Sequence, residues 1–162
     1  MSGGCGVTDS DVRRAALELL ATADDAYVTT VAPDGYPRTR AMFNLRNRTE
    51  FPSLAPAFAG HEKDLLIYLG TNTSSAKIDE LRKNPKGCVY FCDHPRGVGM
   101  CFVGNFEVLT DSKLRRTLWV DGWERYYPAG PEDPDYTVLR MLPDSVSGWL
   151  SSRRIHFAVR DR

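Results

Sequence analysis

The sequence predicts a mainly β fold, a β-barrel of antiparallel strands carrying short helices. Three observations carry that expectation. Six or seven extended runs rich in β-branched and aromatic residues are punctuated by Pro- and Gly-containing turns. The segments with helical spacing are few and short. The extended runs also follow each other too closely for repeated βαβ units, so strand neighbours should be antiparallel. At 162 residues the chain matches the usual length of one domain, here taken as 1–162, with 1–8 expected to form a flexible tail.

Thr8 opens the first helix, and Asp11 three residues on completes an approximate capping box. Val12, Ala16, Leu19 and Leu20 then recur at helical spacing to about residue 22. The run 26–31 is β-branched and ends at Pro33-Asp34-Gly35, where Pro presets φ and Gly supplies a positive φ. A second extended run, 36–46, completes a β-hairpin. Residues 47–63 break both periodicities with two prolines. Phe51, Leu54 and Phe58 indicate that this long connection packs against something. A strand at 65–69 leads into Gly70-Thr71-Asn72-Thr73-Ser74-Ser75 and a helix over 76–83. That helix stops before Asn84-Pro85, because the residue before proline disfavours helix. Strands are predicted at 86–92 and 100–109, joined by turn chemistry at 93–97. Asp111 and Ser112 open a helix to Trp119, followed by a Pro-, Gly- and acid-rich loop over 126–135. Strand candidates at 136–142, 146–150 and 155–159 close the chain.

Composition removes several function classes. Lys and Arg number 21 against 21 Asp and Glu, a balance that counts against a nucleic-acid protein whose affinity comes from a basic surface. No apolar run approaches the roughly 20 residues of a membrane span. The start of the chain has neither a basic nor an apolar leader segment, so a cytoplasmic location is expected. Four cysteines suit that compartment. Cys5 lies in the Gly-rich start, while Cys88, Cys92 and Cys101 lie in apolar runs and are expected as buried free thiols. Cys88 and Cys92 share a strand face about 13 Å apart, too far to bridge. His61, His94 and His156 are scattered, and no metal site is expected. G-x-S-x-G, Walker A and GxGxxG signatures are all absent.

Two segments carry candidate chemistry. Residues 36–48 hold Arg38, Arg40, Arg46 and Arg48 without an acid. Arg38 and Arg40 share one strand face, and guanidinium groups bind phosphate in forked geometry. A solvated strand face is the bland alternative. The second segment, Thr71 to Ser75, ends a strand and opens a helix, where free N–H groups and the helix dipole favour an anion. Lys77 adds a full charge. An ordinary helix cap needs only one such residue, and here five polar residues are consecutive. Together the segments point to a phosphorylated ligand. Without a Gly-rich pyrophosphate turn, a monophosphate is favoured over a dinucleotide.

At these residues the chain resembles a known family. Arg38-Thr39-Arg40-Ala41-Met42, Thr71-Asn72-Thr73-Ser74-Ser75-Ala76-Lys77 and Asn84-Pro85 resemble the pyridoxamine 5′-phosphate oxidase-like FMN-binding split-barrel superfamily. Val103-Gly104, Thr110-Asp111, Leu118-Trp119 and the stretch 127–136 resemble its general stress protein 26 branch. The similarity runs over about residues 12–159. It implies a six-stranded antiparallel split barrel that homodimerises with FMN at the interface. It implies cofactor contacts from Arg38, Arg40, Gly70, Thr71, Asn72, Ser75 and Lys77, with Ala41, Met42 and Phe43 lining the flavin ring. Trp149 would reach the flavin across the subunit interface. Trp119 and Trp123 are expected as core or interface aromatics, with Tyr126 and Tyr127 at the pocket mouth.

Departures from the oxidase pattern argue against pyridoxine-phosphate oxidation itself. Leu45 and Ala76 stand where the oxidase has basic residues, and Gly99 stands where it has a polar flavin contact. Its C-terminal Arg-Leu-His-Asp-Arg motif has no clean match. The implied function is an FMN-binding oxidoreductase transferring hydride at flavin N5, using a small-molecule substrate or a donor such as NAD(P)H. The alternative is a non-catalytic flavin or other cofactor carrier linked to stress. Neither nucleic acid nor membrane is an expected partner, and no catalytic acid or base is assigned.

Overall fold

A computed structural model describes residues 8–159. The expected N-terminal tail up to residue 7, with Cys5, lies outside the described residues. Helix α1 (Asp9–Thr22) begins at Thr8, whose side chain accepts from the Asp11 N–H while Asp11 caps the Thr8 N–H. Its buried stripe is Val12, Ala16, Leu19 and Leu20, the spacing read from the sequence.

Among the described residues nine strands follow, all paired antiparallel: β1 (Asp25–Val31), β2 (Pro37–Phe43), β3 (Ile67–Asn72), β4 (Lys86–Asp93), β5 (Val98–Asn105), β6 (Glu107–Leu109), β7 (Tyr136–Met141), β8 (Ser145–Leu150) and β9 (Arg153–Ala158). Six form one sheet in the order β2-β1-β4-β5-β8-β9, and three form a second in the order β3-β7-β6. The fold is therefore mainly β around a six-stranded antiparallel sheet, with α2 (Ala76–Lys83) and α3 (Ser112–Thr117) as short insertions.

The strand tally exceeds the predicted six or seven for two reasons. The run 100–109 divides at Phe106, a buried ring whose N–H donates to Pro85 O, so β5 stays in the large sheet and β6 joins the small one. The candidate at 146–150 is a full strand between β5 and β9. The hairpin's second strand ends at Phe43 rather than 46. Asn44 leaves the ladder because its buried side-chain amide donates to Leu20 O and Ala23 O, satisfying orphan carbonyls at the end of α1. The 47–63 connection packs as expected: Pro52–Phe58 forms a 3-10 turn with Leu54 buried, and Phe51 is buried beside it.

Alternation sets the inside of the large sheet. Val28, Val89, Phe91, Met100, Phe102 and Val146 face α1 and the main core. A second, aromatic core gathers Phe51, Leu54, Tyr68, Leu118, Trp123, Tyr127 and Tyr136 around the small sheet. The cysteines depart from expectation. Cys88, Cys92 and Cys101 are free but only half-buried, because Val89, Phe91 and Met100 occupy the core positions and turn the thiols to the outer face. There they lie with exposed Phe43, Tyr90, Val103 and Trp149. No described helix is long and apolar enough to cross a membrane.

Candidate functional site

The end of β2 and the end of β3 flank a cleft of about 340 Å³. One wall is Ala41, Met42 and Phe43, the other Gly70, Thr71 and Asn72. Trp123, Tyr126 and Tyr127 close it, with Asp25 at the rim. Trp123 stacks on Phe43 with ring centroids 6.1 Å apart and planes inclined by 20°. Gly70 is needed for this wall: a Cβ there would stand 3.2 Å from the Trp123 indole and 3.4 Å from Tyr136. Burial, with Asp135 and Asp133 behind it, pushes the Tyr127 phenol up to about 12, so it stays protonated at neutral pH.

Next to Thr71, outside the cleft lining, lies a group of cations. Lys77, on the first turn of α2, donates from Nζ to Thr71 Oγ1 at 2.8 Å. Half-burial and the neighbouring Arg40 charge lower its pKa, against the pull of Glu80. Arg40 reaches inward from β2. Its Nη1 donates to Thr30 Oγ1 at 2.5 Å and to Arg38 O at 3.1 Å, and its Nη2 donates to Glu80 at 3.3 Å. Arg38 pairs with Asp34 at 3.2 Å and Glu80 at 3.4 Å.

The turn from β3 into α2 is already stitched from within. Asp135 accepts from the Asn72 side-chain amide and from the Ser74 N–H, each at 2.7 Å, while its carbonyl accepts the Thr73 N–H. Ser75 Oγ donates to Asn72 O instead of capping α2. The Asn72 and Ser74 bonds hold the Asp135 carboxyl below its ordinary 3.8, outweighing burial. A depressed carboxyl contributes stability above its unfolded pKa and loses it as pH falls through the folded value. Thermal melts of Asp135→Asn should therefore start lower at neutral pH and fall less steeply than wild type below about pH 4. Parallel pH profiles for the two proteins would contradict this.

The structure thus brings Ala41, Met42, Phe43, Gly70, Thr71 and Asn72 around one cleft. Lys77 and Arg40 do not line it: Lys77 is joined to it through the Thr71 hydroxyl, and Arg40 is bonded to Thr30 and Glu80. Ser75 is committed to Asn72. Arg38 lies further out, in a shallow groove with Asp34, Ala76 and Lys83. Trp149 does not line the cleft; it is 54% exposed on β8 opposite Gly99 and Arg154. Trp123, expected as a core aromatic, is buried and also forms the cleft wall. Asp25, Thr30, Glu80 and Asp135 were not singled out by sequence. Only Glu80 left a signal, standing three residues from Lys77 on a predicted helix.

Comparison with known proteins decides the family. The family described as pyridoxamine 5′-phosphate oxidase matches this chain over residues 12–150. This chain belongs to that family. The pyridoxamine 5′-phosphate oxidase family includes a structural relative from Clostridium acetobutylicum, a protein related to general stress protein 26 of B. subtilis. It is 32% identical, with a TM-score of 0.74 over 94% of this chain and 97% of that one. General stress protein 26 from Bacillus anthracis shares the fold at 20% identity and a TM-score of 0.66, covering 90% of this chain and 98% of its own. A haem-binding protein from Mycobacterium smegmatis shares it at 12% identity and a TM-score of 0.64, over 90% of this chain and 57% of that one. No curated protein sequence matches this chain.

Proposed function

We propose that this protein binds FMN in the cleft between β2 and β3 and serves as an FMN-dependent oxidoreductase. The observation that carries the reading is the junction at Thr71. This residue lines an apolar, aromatic-walled cleft, and its hydroxyl accepts from the Lys77 ammonium, with Arg40 next to cleft residue Ala41 on β2. A flat ring system suits the wall of Phe43 and Trp123, and a phosphomonoester suits an ammonium beside a threonine hydroxyl. When bound, the flavin would supply hydride transfer at N5. The chain's own part is to hold the phosphate with Lys77, present the Ala41–Phe43 backbone to the ring edge, and exclude water with Trp123 and Tyr127.

A second reading, a cofactor carrier without turnover, is favoured by Tyr127, a cleft-wall phenol held protonated at neutral pH. We further propose a homodimer joined through the outer face of the large sheet, where Phe43, Tyr90, Val103 and Trp149 are exposed. Trp149 would then approach the partner's cleft. The free thiols suit a reducing compartment, and we assign the protein to the cytoplasm.

The purified protein should be a yellow dimer whose flavin absorbance is bleached by NAD(P)H or another small donor. A colourless protein that takes up no FMN would sink both flavin readings. A yellow protein that no physiological donor reduces would favour the carrier. Light scattering that gives a monomer at micromolar concentration would exclude the interface.

A further inference from the structure

A buried acid sits at the heart of a site expected to hold an anion. Glu80 on α2 is 3% exposed. Its Oε2 accepts from Thr30 Oγ1 at 2.5 Å and from Arg40 at 3.3 Å, and its Oε1 accepts from Arg38 at 3.4 Å. Burial alone would push this carboxyl up. The Thr30 and Arg40 hydrogen bonds, with the Arg40 and Arg38 charges, outweigh burial and lower it, so Glu80 is ionised at neutral pH.

Thr30 explains how so polar a contact survives in the core row of β1. Its hydroxyl donates to Glu80 and accepts from Arg40, so one side chain satisfies both ions. Arg40 is left with both terminal nitrogens engaged inside the protein. Lys77 differs, since its ammonium is bonded to the neutral Thr71 hydroxyl. An arriving phosphate meets at Lys77 an ammonium hydrogen-bonded to a neutral hydroxyl, with Glu80 acting on it only through space, but must share or displace Glu80 to engage Arg40. Asp34 plays the same part for Arg38 further out. Three cations (Arg38, Arg40, Lys77) thus face two carboxylates (Asp34, Glu80), and the cluster carries one net positive charge.

We propose that Glu80 is an internal counter-anion that competes with the ligand's phosphate for Arg40, limiting how strongly the site prefers a phosphorylated flavin over an unphosphorylated one. This rests on the FMN reading above. Glu80 is a positioning residue here: it acts through Arg40, and it keeps the cationic cluster from repelling itself when no phosphate is bound.

The test compares FMN with riboflavin, which lacks the phosphate, by flavin fluorescence quenching on wild type, Glu80→Gln and Lys77→Ala. Glutamine keeps the shape and the Thr30 hydrogen bond but removes the charge. Glu80→Gln should raise the FMN-over-riboflavin preference at least about tenfold, the scale of one nearby charge at intermediate dielectric. Riboflavin affinity should stay unchanged. An unchanged or lowered preference in Glu80→Gln, with Lys77→Ala lowering it, overturns the role of Glu80 and leaves the phosphate site standing. A preference unmoved by Lys77→Ala overturns both. Should Glu80→Gln fail to fold, NMR of the wild-type Glu80 carboxyl carbon decides the matter. Its resonance should move on adding FMN and stay still with riboflavin, and an equal response to the two ligands refutes the competition.

Discussion

Lys77→Ala should weaken FMN binding by at least about 1.5 kcal/mol, the low end for a hydrogen bond to a charged group. The ammonium is half-buried, and among the described residues its hydrogen bond goes to the neutral Thr71 hydroxyl. It therefore has donors to give a phosphate, and a truncated side chain leaves that anion with the Thr71 hydroxyl and an Arg40 already shared with Glu80. Riboflavin binding should change little, which separates loss of a phosphate contact from loss of the cleft. Arg40→Ala should weaken FMN binding by a similar amount, for a compound reason. It removes one cation and also frees the negative charge of Glu80 beside the phosphate. Unchanged FMN affinity in both variants would refute the phosphate assignment.

Gly148→Ala should cost about 3 kcal/mol or more of folding stability, at or beyond the usual upper range for overpacking. A Cβ at residue 148 would fall 2.1 Å from Gly99 O and 2.8 Å from Met100 Cα, both main-chain atoms of the neighbouring strand β5. Backbone of a central strand has nowhere to go, so β8 must separate from β5 along the register that pairs Met100 with Gly148. Gly99 shows the complementary case. A Cβ there would meet Tyr90 Oη at 2.1 Å, so this glycine makes room for a tyrosine. Urea denaturation reads the effect directly, and a loss within about 0.5 kcal/mol would contradict it.

Much of the fold was legible because its signals are local. Helix α2 falls at the predicted bounds, and Asn84-Pro85 marks its end within the sequence. The hairpin follows from Pro33-Asp34-Gly35. What escaped depended on partners distant in the chain. Asn44 ends β2 early because it is recruited by the carbonyls of α1, about twenty residues upstream. Phe106 splits a continuous extended run because Pro85 O takes its N–H.

The site divides the same way. Arg40, Thr71 and Lys77 were visible as charge and hydroxyl density. Glu80 and Thr30, which decide what Arg40 is free to do, were concealed as an ordinary helix acid and an ordinary strand threonine. Asp135 was one acid among several in its loop, and only the fold shows it seated under Ser74. The cysteines were placed on the right strands but the wrong side, since apolar runs do not tell which alternate faces the core.

The large sheet ends in two strands of a particular kind. β2 starts at Pro37 and carries Arg38 and Arg40, and β9 starts with Arg153 and Arg154. Proline and like charges along a terminal strand oppose the addition of another strand, by removing a donor and by placing cation against cation. Two molecules meeting edge to edge would align arginines with arginines. Growth of this sheet into a fibril is thereby discouraged at both of its ends, which leaves the broad outer face as the less guarded approach.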